Sequence, residues 1–110
     1  MYLIVTRSFP PEVGGMQNHL WGFSKELSKN FMIKVFANYI EGHKSFDEQV
    51  SFTIERVGGP KILRKYRKAN LVDEFTKVNK VEGIIVDHWK SLENLKNNKK
   101  KYCLPQKHIS

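Results

Sequence analysis

Cysteine is almost missing from this chain. Cys103 stands alone in 110 residues, so no internal disulfide can form, and a reducing compartment fits best. No apolar run approaches the roughly 20 residues of a membrane span. The opening Met1-Tyr2-Leu3-Ile4-Val5-Thr6-Arg7 has neither the basic lead nor the long apolar core of a signal peptide. A cytoplasmic protein is therefore expected. The patterns G-x-G-x-x-G and G-x-x-x-x-G-K-[ST] are absent too, which argues against an ordinary dinucleotide or ATP site. His19, His43, His88, Cys103 and His108 are scattered without zinc-ligand spacing, so no metal is expected. Nothing supports a serine or cysteine triad either.

Present in quantity are apolar side chains, at 40% with 12% aromatic, enough for the core of one domain. The net charge of +8 is unevenly placed. Residues 1–60 carry six basic and six acidic side chains, whereas residues 61–110 carry thirteen and five. Such asymmetry points either to a solvated lysine-rich face or to an anionic partner, a lipid surface or a nucleic acid.

Hydrophobic periodicity orders the chain. Tyr2–Thr6 is a continuous apolar, β-branched run suited to a strand buried on both faces. Met16, Leu20, Phe23 and Leu27 recur at helical spacing over 16–30. Phe31–Ala37 reads as a second strand, and 38–51 as a loop with at most one helical turn. Phe52–Val57 alternates as a third strand and stops at Gly58-Gly59-Pro60. A helix is expected over 62–80, with its clearest apolar positions at Leu71, Phe75 and Val78. Gly83–Asp87 reads as a short buried strand, 89–98 as a weaker helix, and Lys101–Leu104 as a fifth strand. This alternation predicts an α/β fold, an open, mostly parallel Rossmann-like sheet of about five strands with helices on both faces. Ligands of such sheets bind beyond the carboxyl ends of the strands, where the strand order reverses. The loops 7–15 and 87–91 are the candidates.

The first of these loops changes character along its length. Pro10 and Pro11 fix φ and stiffen the path, and Gly14-Gly15 then opens the backbone at a helix start. Unpaired N–H groups there can hold an anion. A plain flexible turn is the other reading of the same pair.

Val5-Thr6-Arg7-Ser8-Phe9-Pro10-Pro11-Glu12-Val13-Gly14-Gly15-Met16-Gln17-Asn18-His19-Leu20, followed by Phe23–Ser28, closely resembles the opening of glycosyltransferase family 4 enzymes. Ile84–Ser91 resembles the fourth strand of that family and the loop after it. The likeness runs over 1–104 and is strongest at 5–28 and 83–92. It implies a partial GT-B N-terminal domain on the acceptor side over 1–104 and an irregular tail over 105–110. The donor-binding C-terminal domain is expected to be absent, through truncation or frameshift, or to be separately encoded. It further implies a retaining hexosyltransferase of polysaccharide or cell-envelope synthesis, with a nucleotide-sugar donor, a saccharide or lipid-linked acceptor, and no cofactor. An isolated chain of this kind is expected to be inactive. Many family members carry a histidine-glycine pair after the fifth strand. Here Pro105-Gln106-Lys107-His108 follows Leu104 instead, so no catalytic residue is assigned.

By resemblance, Gly14 and Gly15 meet the donor diphosphate. Arg7, His19, Asp87, His88 and Trp89 fall on the acceptor or cleft side. Plainer readings exist: Arg7 as a solvated loop residue, His19 as helix surface, the Asp87–His88 pair as a strand terminus capped by Asp87, and Trp89 as core. Lys61, Arg64, Lys65, Arg67 and Lys68, interleaved with Ile62, Leu63 and Tyr66, are a candidate membrane-surface patch at the inner face of the membrane, or a solvated helix face. No nucleic-acid motif accompanies the charge, and no nucleic acid is expected. Two other functions stay open: a stand-alone flavodoxin-like module for a phosphorylated ligand, and a basic adaptor at a membrane or nucleic acid.

Overall fold

The β-branched runs form one sheet. The computed structural model describes residues 1–105, the Met16 side chain apart, and the expected tail from 106 onward, His108 included, lies outside the described residues. Its elements are β1 (Tyr2–Val5), α1 (Gly15–Ser28), β2 (Ile33–Asn38), α2 (His43–Asp47), β3 (Thr53–Val57), α3 (Lys61–Val78), β4 (Gly83–Val86) and β5 (Lys101–Cys103), with a 3-10 turn over Trp89–Leu92. The strands run in the order β3-β2-β1-β4-β5, every neighbouring pair parallel. This is an open, all-parallel, Rossmann-like α/β sheet.

Alternation along the strands sorts the core into two layers. Ile4, Val35, Ala37 and Ile85 pack with Leu20 of α1 on one face. Leu3, Val5, Phe36, Ile84 and Val86 pack with Val72 of α3 on the other. Strands buried on both sides need this continuous apolar character, which is why they stand out in the sequence. The chain leaves β1 toward β2 by α1 and later returns past β1 to β4 by α3. The order therefore reverses between β1 and β4, and their carboxyl ends frame the crevice.

Two elements depart from expectation. In α3 the buried face is Lys68, Ala69, Val72, Asp73 and Thr76. Leu71 is 37% exposed and Val78 82%. Apolar residues lie on every side of this helix, so periodicity alone does not select a face. The side chains that let it sit close to the strands are the small ones at 69, 72 and 76. Residues 89–98 do not form the expected helix beyond the short turn at Trp89–Leu92. The Asp73 carboxylate accepts from the backbone N–H of Lys96 (2.8 Å) and Asn97 (3.1 Å) and from Asn97 Nδ2 (2.6 Å). Asn94 takes a left-handed conformation, φ 71°, which ends any helical path there.

Gly83 opens β4 where the tyrosine rings of the two neighbouring strands close over it. A Cβ there would lie 2.9 Å from Tyr102 Cε2, 3.2 Å from Tyr2 Cε1 and 3.3 Å from Lys100 O. Gly83→Val is accordingly expected to destabilise the domain by about 1–3 kcal/mol through overpacking. Urea unfolding checks this, and an unchanged midpoint would show that the two rings yield freely.

Candidate functional site

The loop from β1 to α1 is held by its own aromatic residue and by an arginine from β3. Phe9 is fully buried and meets Trp21, Phe46 and Phe52 edge-on, at centroid distances of 6.1, 6.3 and 6.5 Å. Arg56, whose side chain is 3% exposed, clamps Asp47 with Nε at 3.1 Å and Nη2 at 2.8 Å. It also donates through Nη2 to Pro10 O, fixing the proline end of the loop. His43 Nδ1 lies 2.7 Å from the same carboxylate. Burial pushes Asp47 up, but hydrogen bonds from Arg56 and His43 and their charges outweigh it and hold the group below the usual carboxylate range.

At the far end of the loop the backbone opens. Gly14 is extended, at φ 168°, and no side chain caps the start of α1. A Cβ on Gly14 would collide with the movable Gln17 Oε1, whereas one on Gly15 would meet nothing within 4 Å. Neither glycine is required by a left-handed backbone. The space beside Gly15 is open to a ligand.

Between β1 and β4 the strand ends are tied together by polar groups. Thr6, fully buried, has its Oγ1 within 2.9 Å of both Asp87 Oδ2 and Ser8 O. Ser91 donates to Asp87 Oδ1 at 2.7 Å, and Arg7 N lies 3.5 Å from Oδ2. Asp87 is 5% exposed and serves to join β1, β4 and the turn after it. Lys68 reaches the same region from α3. Its Nζ donates to Thr6 O at 2.9 Å and to Asn38 Oδ1 at 2.7 Å. Burial pulls its pKa down to about 8, against an upward pull from Asp87, with Arg64 and Arg7 adding to the fall. A cavity of about 210 Å³ lies beside Lys68, between the first half of α3, the ends of β1 and β2, and the segment after β4.

The remaining candidates are dispersed. Arg7 is exposed and lines the cavity. His88 accepts from Lys90 N at 3.1 Å through Nδ1 and so caps the 3-10 turn, which leaves its proton on Nε2 when neutral. Trp89 is 61% exposed, not core. His19 is half-buried, and its Nε2 is a buried nitrogen without a partner among the described residues, a rare condition. The basic run does not form one surface. Lys61, Arg64 and Lys65 line the cavity, and Arg67 donates to Gly58 O at 2.8 Å, closing the turn before α3. Lys68 is only 5% exposed, which corrects its assignment to a membrane-facing patch: two acceptors at the strand ends draw its ammonium inward. Cys103 is a poor nucleophile, its thiol pushed up by burial and by the charge of Asp87.

Sequence reasoning passed over Thr6, Asn38, Ser91 and the inward role of Lys68. Thr6, Asn38 and Asp87 are the polar residues ending three apolar strands, and that shared position was the available signal. Among the described residues no histidine, cysteine and carboxylate groups gather as a metal site, and no helix is long and apolar enough to cross a membrane. Neither a protein-family model nor a curated protein matches the chain.

Proposed function

We propose that this chain is the acceptor-side N-terminal domain of a glycosyltransferase with the GT-B arrangement. In this reading the whole enzyme moves a sugar from a nucleotide-sugar donor, whose nucleotide leaves, to a hydroxyl of a saccharide or lipid-linked acceptor, and a second domain supplies most of the donor pocket. The observation that carries the reading is the β1–α1 loop. Its proline end is stapled by Arg56, and its glycine end opens onto an uncapped helix start at the switch point of a parallel sheet. A donor diphosphate approaches backbone N–H groups only where side chains are missing, and Gly15 leaves that approach clear. His19, on the same helix, carries a buried Nε2 with no hydrogen-bond partner among the described residues. Without the second domain no transfer is expected, and robust turnover of a radiolabelled nucleotide sugar by the purified chain would contradict this.

The loop is tested by amide NMR with uridine, guanosine and adenosine diphosphates. One of them is expected to shift Gly14 and Gly15. Gly15→Ala should abolish that response while stabilising α1 by about 0.5 kcal/mol, because alanine loses less backbone entropy in a helix. An undiminished response in Gly15→Ala would show that the glycine does not admit the diphosphate. A diphosphate response confined to Arg64, Lys68 and Ser91 would favour instead a stand-alone module for phosphorylated ligands, a reading that the cavity beside Lys68 supports.

A further inference from the structure

The cavity over Lys68 is lined by six cationic side chains, Arg7, Lys61, Arg64, Lys65, Lys68 and Lys90, against one carboxylate, Glu93. Three further features set it apart from an ordinary lysine-rich surface. First, one of the cations is buried. Lys68 has two of its three N–H donors engaged, on Thr6 O and Asn38 Oδ1, which leaves one for a ligand. Second, the cations crowd the wrong end of a helix. The first turn of α3 contains no acidic residue and no side-chain cap, although the positive end of a helix favours negative charge. Lys61 and Arg64 there add repulsion that an anion would relieve. Third, the end of β2 and the 3-10 turn after β4 supply neutral polar groups, Asn38 and Ser91, on the cavity wall.

We propose that this cavity is a binding site for a phosphoryl dianion, the terminal phosphate of a small phosphorylated molecule or of a lipid headgroup. At about 210 Å³ it is smaller than the ~300–1,000 Å³ typical of drug-sized ligands, which suits a phosphate and little else enclosed. Arg64 supplies a fork matched to two phosphate oxygens, Lys68 a point charge from the floor, and the uncapped α3 start its N–H groups. Of the β1–α1 loop only Arg7 lines the cavity, and Gly14 and Gly15 do not, so phosphate binding here is tested apart from the donor-diphosphate reading.

Binding is expected to follow the protonation of Lys68, whose charged form the site requires. The groups around it are Arg7 beside β1, Arg64 on α3, Asp87 beyond β4, and Lys61, Lys65, Lys90 and Glu93 on the cavity rim. With its pKa near 8, the ammonium is mostly present at pH 7.5 and mostly lost at pH 9.

The test uses the full chain with sodium sulfate, a dianion whose charge is constant over this range, at fixed ionic strength. Saturable binding with shifts at the Arg64, Lys68 and Ser91 amides is expected, weakening by about fivefold to tenfold from pH 7.5 to 9. Lys68→Met should weaken binding at least fivefold and remove the pH dependence. Arg64→Met, a half-buried residue whose loss leaves the core intact, should weaken binding similarly even if Lys68→Met folds poorly. Lys100→Met, outside the cavity, should change nothing. Glycerol 3-phosphate and phosphatidylcholine vesicles containing phosphatidic acid then separate the sources. Binding of the soluble ester indicates a free phosphorylated ligand, and binding of vesicles alone indicates a headgroup, assisted by the exposed Ile62 and Leu63. Sulfate binding unaltered in both Lys68→Met and Arg64→Met, or no binding of any of the three probes, overturns the proposal.

Discussion

Arg56→Ala is expected to cost about 3–5 kcal/mol of stability, lowering Tm by more than about 12 °C. The side chain is almost wholly buried and ties three segments at once: Asp47 after β2, Pro10 in the β1–α1 loop, and β3 itself. Truncation leaves the half-buried Asp47 carboxylate with only His43 beside it and removes the donor to Pro10 O. It also takes the guanidinium from beside the Phe9 ring, 6.0 Å away. Arg56→Lys should recover only part of the loss, because an ammonium cannot clamp both carboxylate oxygens. The acid limb of the stability profile should change as well. Asp47 is held below its usual range in the folded protein, so its contribution is complete above the unfolded value of about 4 and is lost as pH falls through the lower folded value. In Arg56→Ala that dependence should largely vanish. Thermal unfolding between pH 3 and 7 measures both effects, and a fall of less than about 1 kcal/mol at neutral pH would show that the arginine is not a staple.

The alkaline limb should be governed by Lys68. Its folded pKa is about 8, below the ordinary 10.5, so between those values the unfolded chain binds more protons than the folded one. Stability must then rise with pH across this window: the cost of burying the charge is present in full below pH 8 and fades as pH climbs toward 10.5. From pH 7 to pH 10 the gain attributable to this side chain is about 2–3 kcal/mol. Other groups titrate there as well, so the useful quantity is the stability difference between the wild type and Lys68→Met, which keeps the stem and lacks the proton. That difference should move by the stated amount in favour of the wild type. A difference that stays constant from pH 7 to 10 would mean that Lys68 titrates as an exposed lysine does. A dianion added at pH 7 should stabilise the wild type and shrink the alkaline gain, since ligand and proton favour one another.

Much of the architecture was legible because it rests on local patterns. Runs such as Leu3-Ile4-Val5 and Ile84-Ile85-Val86 are apolar at consecutive positions, which only a strand covered on both faces demands. The stiff and then open character of Pro10-Pro11 and Gly14-Gly15 was likewise readable, since both properties belong to single residues. The basic run 61–68 was visible as charge, but its meaning was not. Whether a lysine stem points outward or inward depends on acceptors at Thr6 and Asn38, which come from other strands. The same holds for residues 89–98, where a distant carboxylate, Asp73, takes backbone N–H groups that a helix would have needed.

The sequence by itself therefore determined the α/β alternation, the number of strands and the position of the loop that enters α1. Only the tertiary structure decided which face of α3 is buried, that Arg56 holds Pro10, and that six cations converge on one cavity. The physical reason is range. Periodicity, proline and glycine act over a few bonds, whereas a buried ammonium, a staple or a cavity is defined by partners that are dozens of residues apart and meet only when the sheet has formed.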